Sequence, residues 1–103
     1  MGLFLYLSQL KENKITWYAV DSATGDLARQ GDFATPGEPG IQGTSPDRKI
    51  LYVAMRSTGA LCSFRIDPHS GRLDLLHALD TGLADPGYMA TDRTGRYLIT
   101  PYY

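Results

Sequence analysis

Few side chains in this 103-residue sequence combine a type and a spacing suited to chemistry. Arg56 follows the apolar run at residues 51–55 and precedes Ser57-Thr58-Gly59, so it stands on a turn. A guanidinium there could grip a phosphate or a carboxylate. A turn arginine can equally be a solvated charge or a donor to a neighbouring carbonyl. His69 falls in a turn and His77 in a strand, and neither has an evident catalytic partner. Cys62, flanked by Leu61 and Ser63, reads as a small buried residue with little nearby to lower a thiol pKa. Asp47, Asp67 and Asp92 are turn formers whose carboxylates can accept backbone N–H bonds, and their spacing argues for no acid–base pair. Gly37, Gly40 and Gly43 mimic a phosphate loop, but a dinucleotide site needs a helix next and none follows. No G-x-S-x-G, H-E-x-x-H, Walker or EF-hand pattern is present. With one cysteine there is neither an intrachain disulfide nor a cysteine cluster for a metal, and no cofactor or metal is expected.

Ten Lys+Arg against eleven Asp+Glu give a formal charge of −1, with no basic run to draw the chain onto nucleic acid or an acidic membrane. The composition, 43% hydrophobic and 20% charged, is that of a globular chain. The apolar start Leu3-Phe4-Leu5-Tyr6-Leu7 is too short to span a bilayer, and its first positive charge, Lys11, comes after it rather than before it. It reads as a strand, and the protein as cytoplasmic.

The elements that would position these side chains repeat. Ile15-Thr16-Trp17-Tyr18-Ala19-Val20-Asp21, followed by a turn to Gly25 and Leu27, overlays Leu61-Cys62-Ser63-Phe64-Arg65-Ile66-Asp67, followed by a turn to Gly71 and Leu73. Pro39-Gly40 leads to Thr44-Ser45-Pro46-Asp47 and a strand, just as Pro86-Gly87 leads to Thr91-Asp92-Arg93-Thr94-Gly95 and a strand. Leu5-Tyr6-Leu7-Ser8 overlays Leu51-Tyr52-Val53-Ala54. All three give one offset of ~46–47 residues, the period of a propeller blade of four short strands. The runs are rich in Tyr, Phe, Val, Ile and Leu, are punctuated by Gly, Pro and Asp, and show no sustained helical period.

The sequence therefore predicts an all-β, antiparallel β-propeller fragment of about two blades. Strands are expected at 3–8, 14–20 and 27–33, then 41–45, 50–55, 60–66 and 73–79, then 88–91 and 97–101. Labelled A to D from the centre outward, these make a partial blade at 1–38, a complete blade at 39–84 and a partial blade at 85–103. A closed ring needs roughly 4–8 blades. The natural chain is therefore expected to be longer, and the isolated chain inactive and prone to self-association through exposed blade edges.

Three stretches carry a family resemblance: the turn and strand from Thr44 to Arg56, the strand and turn from Phe64 to Leu73, and the turn and strand from Thr91 to Leu98. On these the chain resembles the bacterial seven-bladed β-propeller lactonases of the 6-phosphogluconolactonase type. The resemblance covers essentially the whole chain and matches the family's first third. It implies a metal-free hydrolase that opens a phosphorylated sugar-acid lactone in the pentose phosphate route. The same family shape includes a carboxymuconate lactonizing enzyme, and a propeller can also serve as a non-catalytic binding scaffold. The His, Glu and Arg suspected of acid–base work in the family lie in later blades, so no catalytic residue is expected here. Two positions of the family pattern remain, Arg56 and, one repeat later, Tyr103, and the resemblance makes both candidates for substrate binding. Tyr103 can also be read as a packing residue with a satisfied hydroxyl. Pro101 departs from the pattern, where a small residue is usual, and is expected to end the last strand early. The loops that hold Lys11–Asn13, Arg56–Gly59, Ala34–Gly40 and Asp80–Gly87 are expected on one face, over the central channel.

Overall fold

The computed structural model describes residues 2–102. The described residues form nine strands and one 3₁₀ turn: β1 Phe4–Gln9, the turn Leu10–Glu12, β2 Lys14–Val20, β3 Leu27–Ala34, β4 Pro39–Thr44, β5 Ile50–Met55, β6 Leu61–Ile66, β7 Leu73–Leu79, β8 Ala90–Thr91 and β9 Leu98–Ile99. They make three antiparallel meanders, β1-β2-β3, β4-β5-β6-β7 and β8-β9. One four-stranded blade thus stands between two partial ones. The strands fall where alternation placed them, except that β8 and β9 are shorter than 88–91 and 97–101. The reason is local: Pro86 and Pro101 lack an N–H, so beyond the Ala90↔Ile99 pair only an isolated Pro86↔Tyr102 bridge and the Gly87 N–H donation to Pro101 continue the ladder.

The repeat extends to fine detail. Asp21 and Asp67 open equivalent turns, in which the Asp21 carboxylate accepts from the N–H groups of Ala23 and Thr24 and the Asp67 carboxylate from those of His69 and Ser70. Each turn closes on a glycine of positive φ, Gly25 at 79° and Gly71 at 75°. The strand pairings β2–β3 and β6–β7 shift register at Trp17/Tyr18 and Ser63/Phe64, again one repeat apart.

The core lies between the first sheet and the second. Ile15 of β2 joins Leu51, Val53 and Met55 of β5, Cys62 and Phe64 of β6, and Leu73 of β7, with Tyr6 and Phe33 packed against them. Strand alternation explains this: Tyr6, Ile15 and Phe33 lie on one face of the first sheet, and Leu51, Val53, Cys62 and Phe64 on the facing side of the second. Burying each such side chain contributes about 1.5–3 kcal/mol. Polar ties lock the same seam: the Tyr6 hydroxyl donates to the Gly71 carbonyl at 2.5 Å and the Trp17 indole to the Ser70 carbonyl at 3.1 Å.

Candidate functional site

Arg56 is exposed at the end of β5, on a turn held from two sides. Its own N–H donates to the Glu38 carbonyl at 2.7 Å, and the Glu38 N–H donates to the Ser57 hydroxyl at 3.0 Å, which ties the turn to the loop before β4. On the other side, the Gly59 carbonyl accepts from the Thr81 hydroxyl at 2.9 Å and from the Tyr102 hydroxyl at 2.8 Å. Gly59 has φ 74°, and a Cβ there would lie 1.6 Å from the Leu83 carbonyl oxygen. Only glycine therefore lets the loop after β7 close against this turn.

The turn borders an open groove of about 620 Å³, lined by Leu10, Gly40, Ile41, Arg56, Asp85, Pro86 and Gly87. The groove thus gathers the β1–β2 turn, the start of β4, the β5–β6 turn and the loop after β7, at the end of the sheets where these connections were expected to share a face. Among the described residues Arg56 makes no ion pair, so its guanidinium is open to an anion. Asp85, at φ 56°, stands on the same rim and opposes an anion there.

The remaining candidates lie elsewhere. His69 sits at the opposite end of β6, where its N–H closes the Asp67 turn, and His77 is exposed on the outer strand β7. Cys62 is buried in the core, and burial pushes its thiol up, the reverse of a reactive thiolate. Asp47, Asp67 and Asp92 are held below the usual carboxylate range by the Ser45 hydroxyl, by the Ser70 and His69 N–H groups, and by the Thr94 hydroxyl, respectively. These bonds are those of turn formers. No group of three or more His, Cys, Asp or Glu suited to a metal occurs among the described residues. Tyr103 lies outside them. Its neighbour Tyr102, Thr81 and Asp85 were not singled out from the sequence. For Asp85 a signal existed, since Glu38-Pro39-Gly40 and Asp85-Pro86-Gly87 are one repeat apart.

The family described as Lactonase, 7-bladed beta-propeller, matches residues 1–77 and again 40–102. The doubled match reflects the blade repeat. A 6-phosphogluconolactonase of Enterobacter sp. is 33% identical over 69 residues, which covers 66% of this chain and 20% of that protein. One of Buchnera aphidicola is 30% identical over 104 residues, 100% of this chain and 30% of that protein. The chain therefore spans about a fifth to a third of the length of the curated relatives it matches. Among solved structures, a Bacteroides fragilis protein superposes with a TM-score of 0.84 at 22% identity, covering 96% of this chain and 28% of that one. The periplasmic gluconolactonase of Pseudomonas aeruginosa gives 0.81 at 23%, covering 94% and 29%. With its strand order, its blade-length repeat and the family match along nearly its whole length, the chain belongs to the seven-bladed β-propeller lactonase family.

Proposed function

We propose that this chain forms part of a hydrolase that opens a phosphorylated sugar-acid lactone of the 6-phosphogluconolactone type, and that it contributes anion binding rather than the proton-transfer groups. The observation that carries the proposal is the placement of Arg56: an unpaired guanidinium on a clamped turn, at the rim of the groove between the blade-connecting loops. In lactone opening, water adds to the ring carbonyl, the ring C–O bond breaks and a proton passes to the leaving alkoxide. That needs a base, oxyanion stabilisation and cations for the phosphate. Arg56 supplies the last of these, and we assign the base and the oxyanion donors to further blades. The relatives named 6-phosphogluconolactonase support the substrate class. The pentose phosphate route, a cytoplasmic location and the lack of nucleic-acid or membrane partners belong to the same proposal, supported by the near-neutral charge. No helix among the described residues is long and apolar enough to cross a membrane.

The test is a chimera in which this chain replaces the matching stretch of the Enterobacter protein. The proposal expects lactone hydrolysis by the chimera, with kcat/KM lowered about 10–100-fold by Arg56→Ala. A folded chimera whose activity ignores that substitution would remove Arg56 from the site.

A further inference from the structure

Within β4 the ladder to β5 carries one extra residue. Pro39 pairs with Met55 and Gln42 with Val53, so Gly40 and Ile41 together oppose Ala54 alone. This bulge stands in the wall of the groove, where Gly40 and Ile41 lie beside Arg56. A Cβ on Gly40 would lie 3.8 Å from the Arg56 Cβ. Two residues before Gly40, the Glu38 carbonyl accepts the Arg56 N–H at 2.7 Å. The position of the extra residue therefore decides how Arg56 is seated and whether Ile41 points into the groove. Bulges beside binding sites re-aim side chains in this way. A slip of the bulge along β4 would turn Ile41 to the other face and shift the carbonyl that anchors Arg56.

A side chain of the neighbouring sheet spans the bulge. Ser8 of β1 pairs with Ile15 and shares its face, toward the second sheet. The Ser8 hydroxyl donates to the Gly40 carbonyl at 2.8 Å and accepts from the Gln42 side-chain amide at 2.6 Å. The two contacts fall on either side of Ile41. Both bonds run in one direction, from Gln42 through Ser8 to Gly40, so each polarises the other. One repeat later the extra residue recurs: between the Pro86↔Tyr102 bridge and the Ala90↔Ile99 pair, residues 87–89 oppose residues 100–101. The bridge across it does not recur. The counterparts of Ser8 and Gln42 are Ala54 and Met89, which have no hydroxyl or amide and are buried. Met89 packs on Gly43 instead, with its Cγ 3.1 Å from the position of a Cβ there. Apolar packing thus suffices to close a junction of this kind, yet the junction beside Arg56 uses a polar pair.

We infer that Ser8 and Gln42 are positioning residues of the anion site: they pin the bulge at Gly40–Ile41 and so hold Arg56 and Ile41 in the geometry that receives the ligand. Neither side chain lines the groove, so both act through Gly40 and the Arg56 turn. The inference rests on the proposed function and adds to it the residues that set the site's shape.

The next junction supplies the test. Ser8→Ala combined with Gln42→Met copies its apolar pair, and replacing both partners of a hydrogen bond with apolar groups is close to neutral for stability. The double variant is expected to keep the unfolding midpoint of the unsubstituted chain. Its affinity for 6-phosphogluconate, read by NMR titration, is expected to fall at least about fivefold, the effect of one lost hydrogen bond on the site. Hydrogen exchange of the Arg56 amide should quicken while that of Phe64, in the core, stays the same. Ser8→Thr keeps the hydroxyl and is expected to keep the affinity. A double variant that binds as tightly as the unsubstituted chain overturns the inference. So does a Ser8→Thr chain as weak as the double variant, or an affinity that falls only in step with the unfolding midpoint, which would make the pair structural. An unsubstituted chain that does not bind, or one whose binding Arg56→Ala leaves intact, overturns the proposed function itself and this inference with it.

Discussion

The ring of Phe33 meets the ring of Phe64 edge-on, with 5.3 Å between centroids and 84° between planes. Phe33 belongs to the first sheet and Phe64 to the second, so this contact ties a partial blade to the complete one. Phe33→Ala is expected to cost about 2–4 kcal/mol, and Phe33→Leu about 1 kcal/mol less, since it keeps apolar volume but loses the aromatic pair. Hydrogen exchange should show protection falling in β1–β3 and β5–β7 together. Loss confined to β3 would mean that the two sheets do not fold as one unit.

Two glycines on the same loop system should respond differently to alanine. Gly59 and Gly82 both have positive φ, 74° and 69°. At Gly82 nothing lies within 4 Å of a new Cβ, whereas at Gly59 the Leu83 carbonyl blocks it. Gly82→Ala is expected to cost about 1 kcal/mol, the penalty of left-handed backbone alone. Gly59→Ala should cost at least about 2 kcal/mol more and release the Arg56 turn. Urea denaturation of the two variants checks the ordering.

Thr100 buries its hydroxyl without a hydrogen-bond partner among the described residues, and its repeat counterpart is Val53. Thr100→Val keeps the shape and removes the orphan, so it is expected to stabilise the chain by about 1 kcal/mol. A lower Tm for the variant would mean that the Thr100 hydroxyl is satisfied in the folded chain.

Burial, with the Asp67 carboxylate next in weight, pushes the Tyr6 phenol up to about 12. A group whose folded pKa lies above its unfolded value of 10.0 gives stability that is fully present below pH 10 and is lost as pH rises through about 12. Unfolding midpoints should therefore fall across that window. Tyr6→Phe loses the Gly71 bond, at about 1 kcal/mol at neutral pH, and should flatten the alkaline fall. A variant with the same alkaline slope would assign the fall to other groups.

Asp85 shares the groove rim with Arg56. Removing its charge as Asp85→Asn should tighten anion binding about 2–5-fold at low salt, with the gain shrinking as salt is added. An unchanged affinity would place the anion away from this rim.

Much of the fold was legible because a blade writes its pattern locally. Alternating runs gave β1–β7, and the Asp-to-Gly turns after β2 and β6 gave the connections. Repeat counting placed Arg56 at the end of a second strand, beside the loops before β4 and after β7. What stayed hidden depends on contacts between distant residues. The hydroxyls of Thr81 and Tyr102 converge on the Gly59 carbonyl only after the loop beyond β7 has folded back, and no local pattern announces that. The left-handed Arg48, at φ 60°, hides in an ordinary-looking Ser-Pro-Asp-Arg turn, and only its repeat counterpart Gly95, at 75°, betrays the backbone demanded there.

The most direct test of the account is an amide-resolved NMR titration of this chain with 6-phosphogluconate, the ring-opened acid of the proposed substrate. The account predicts weak saturable binding, with shifts concentrated at Gly40, Arg56 and Gly87, that Arg56→Ala abolishes and Arg48→Ala, on the opposite face, leaves unchanged. Shifts elsewhere, no saturable binding, or equal binding by Arg56→Ala would contradict the assignment of this groove.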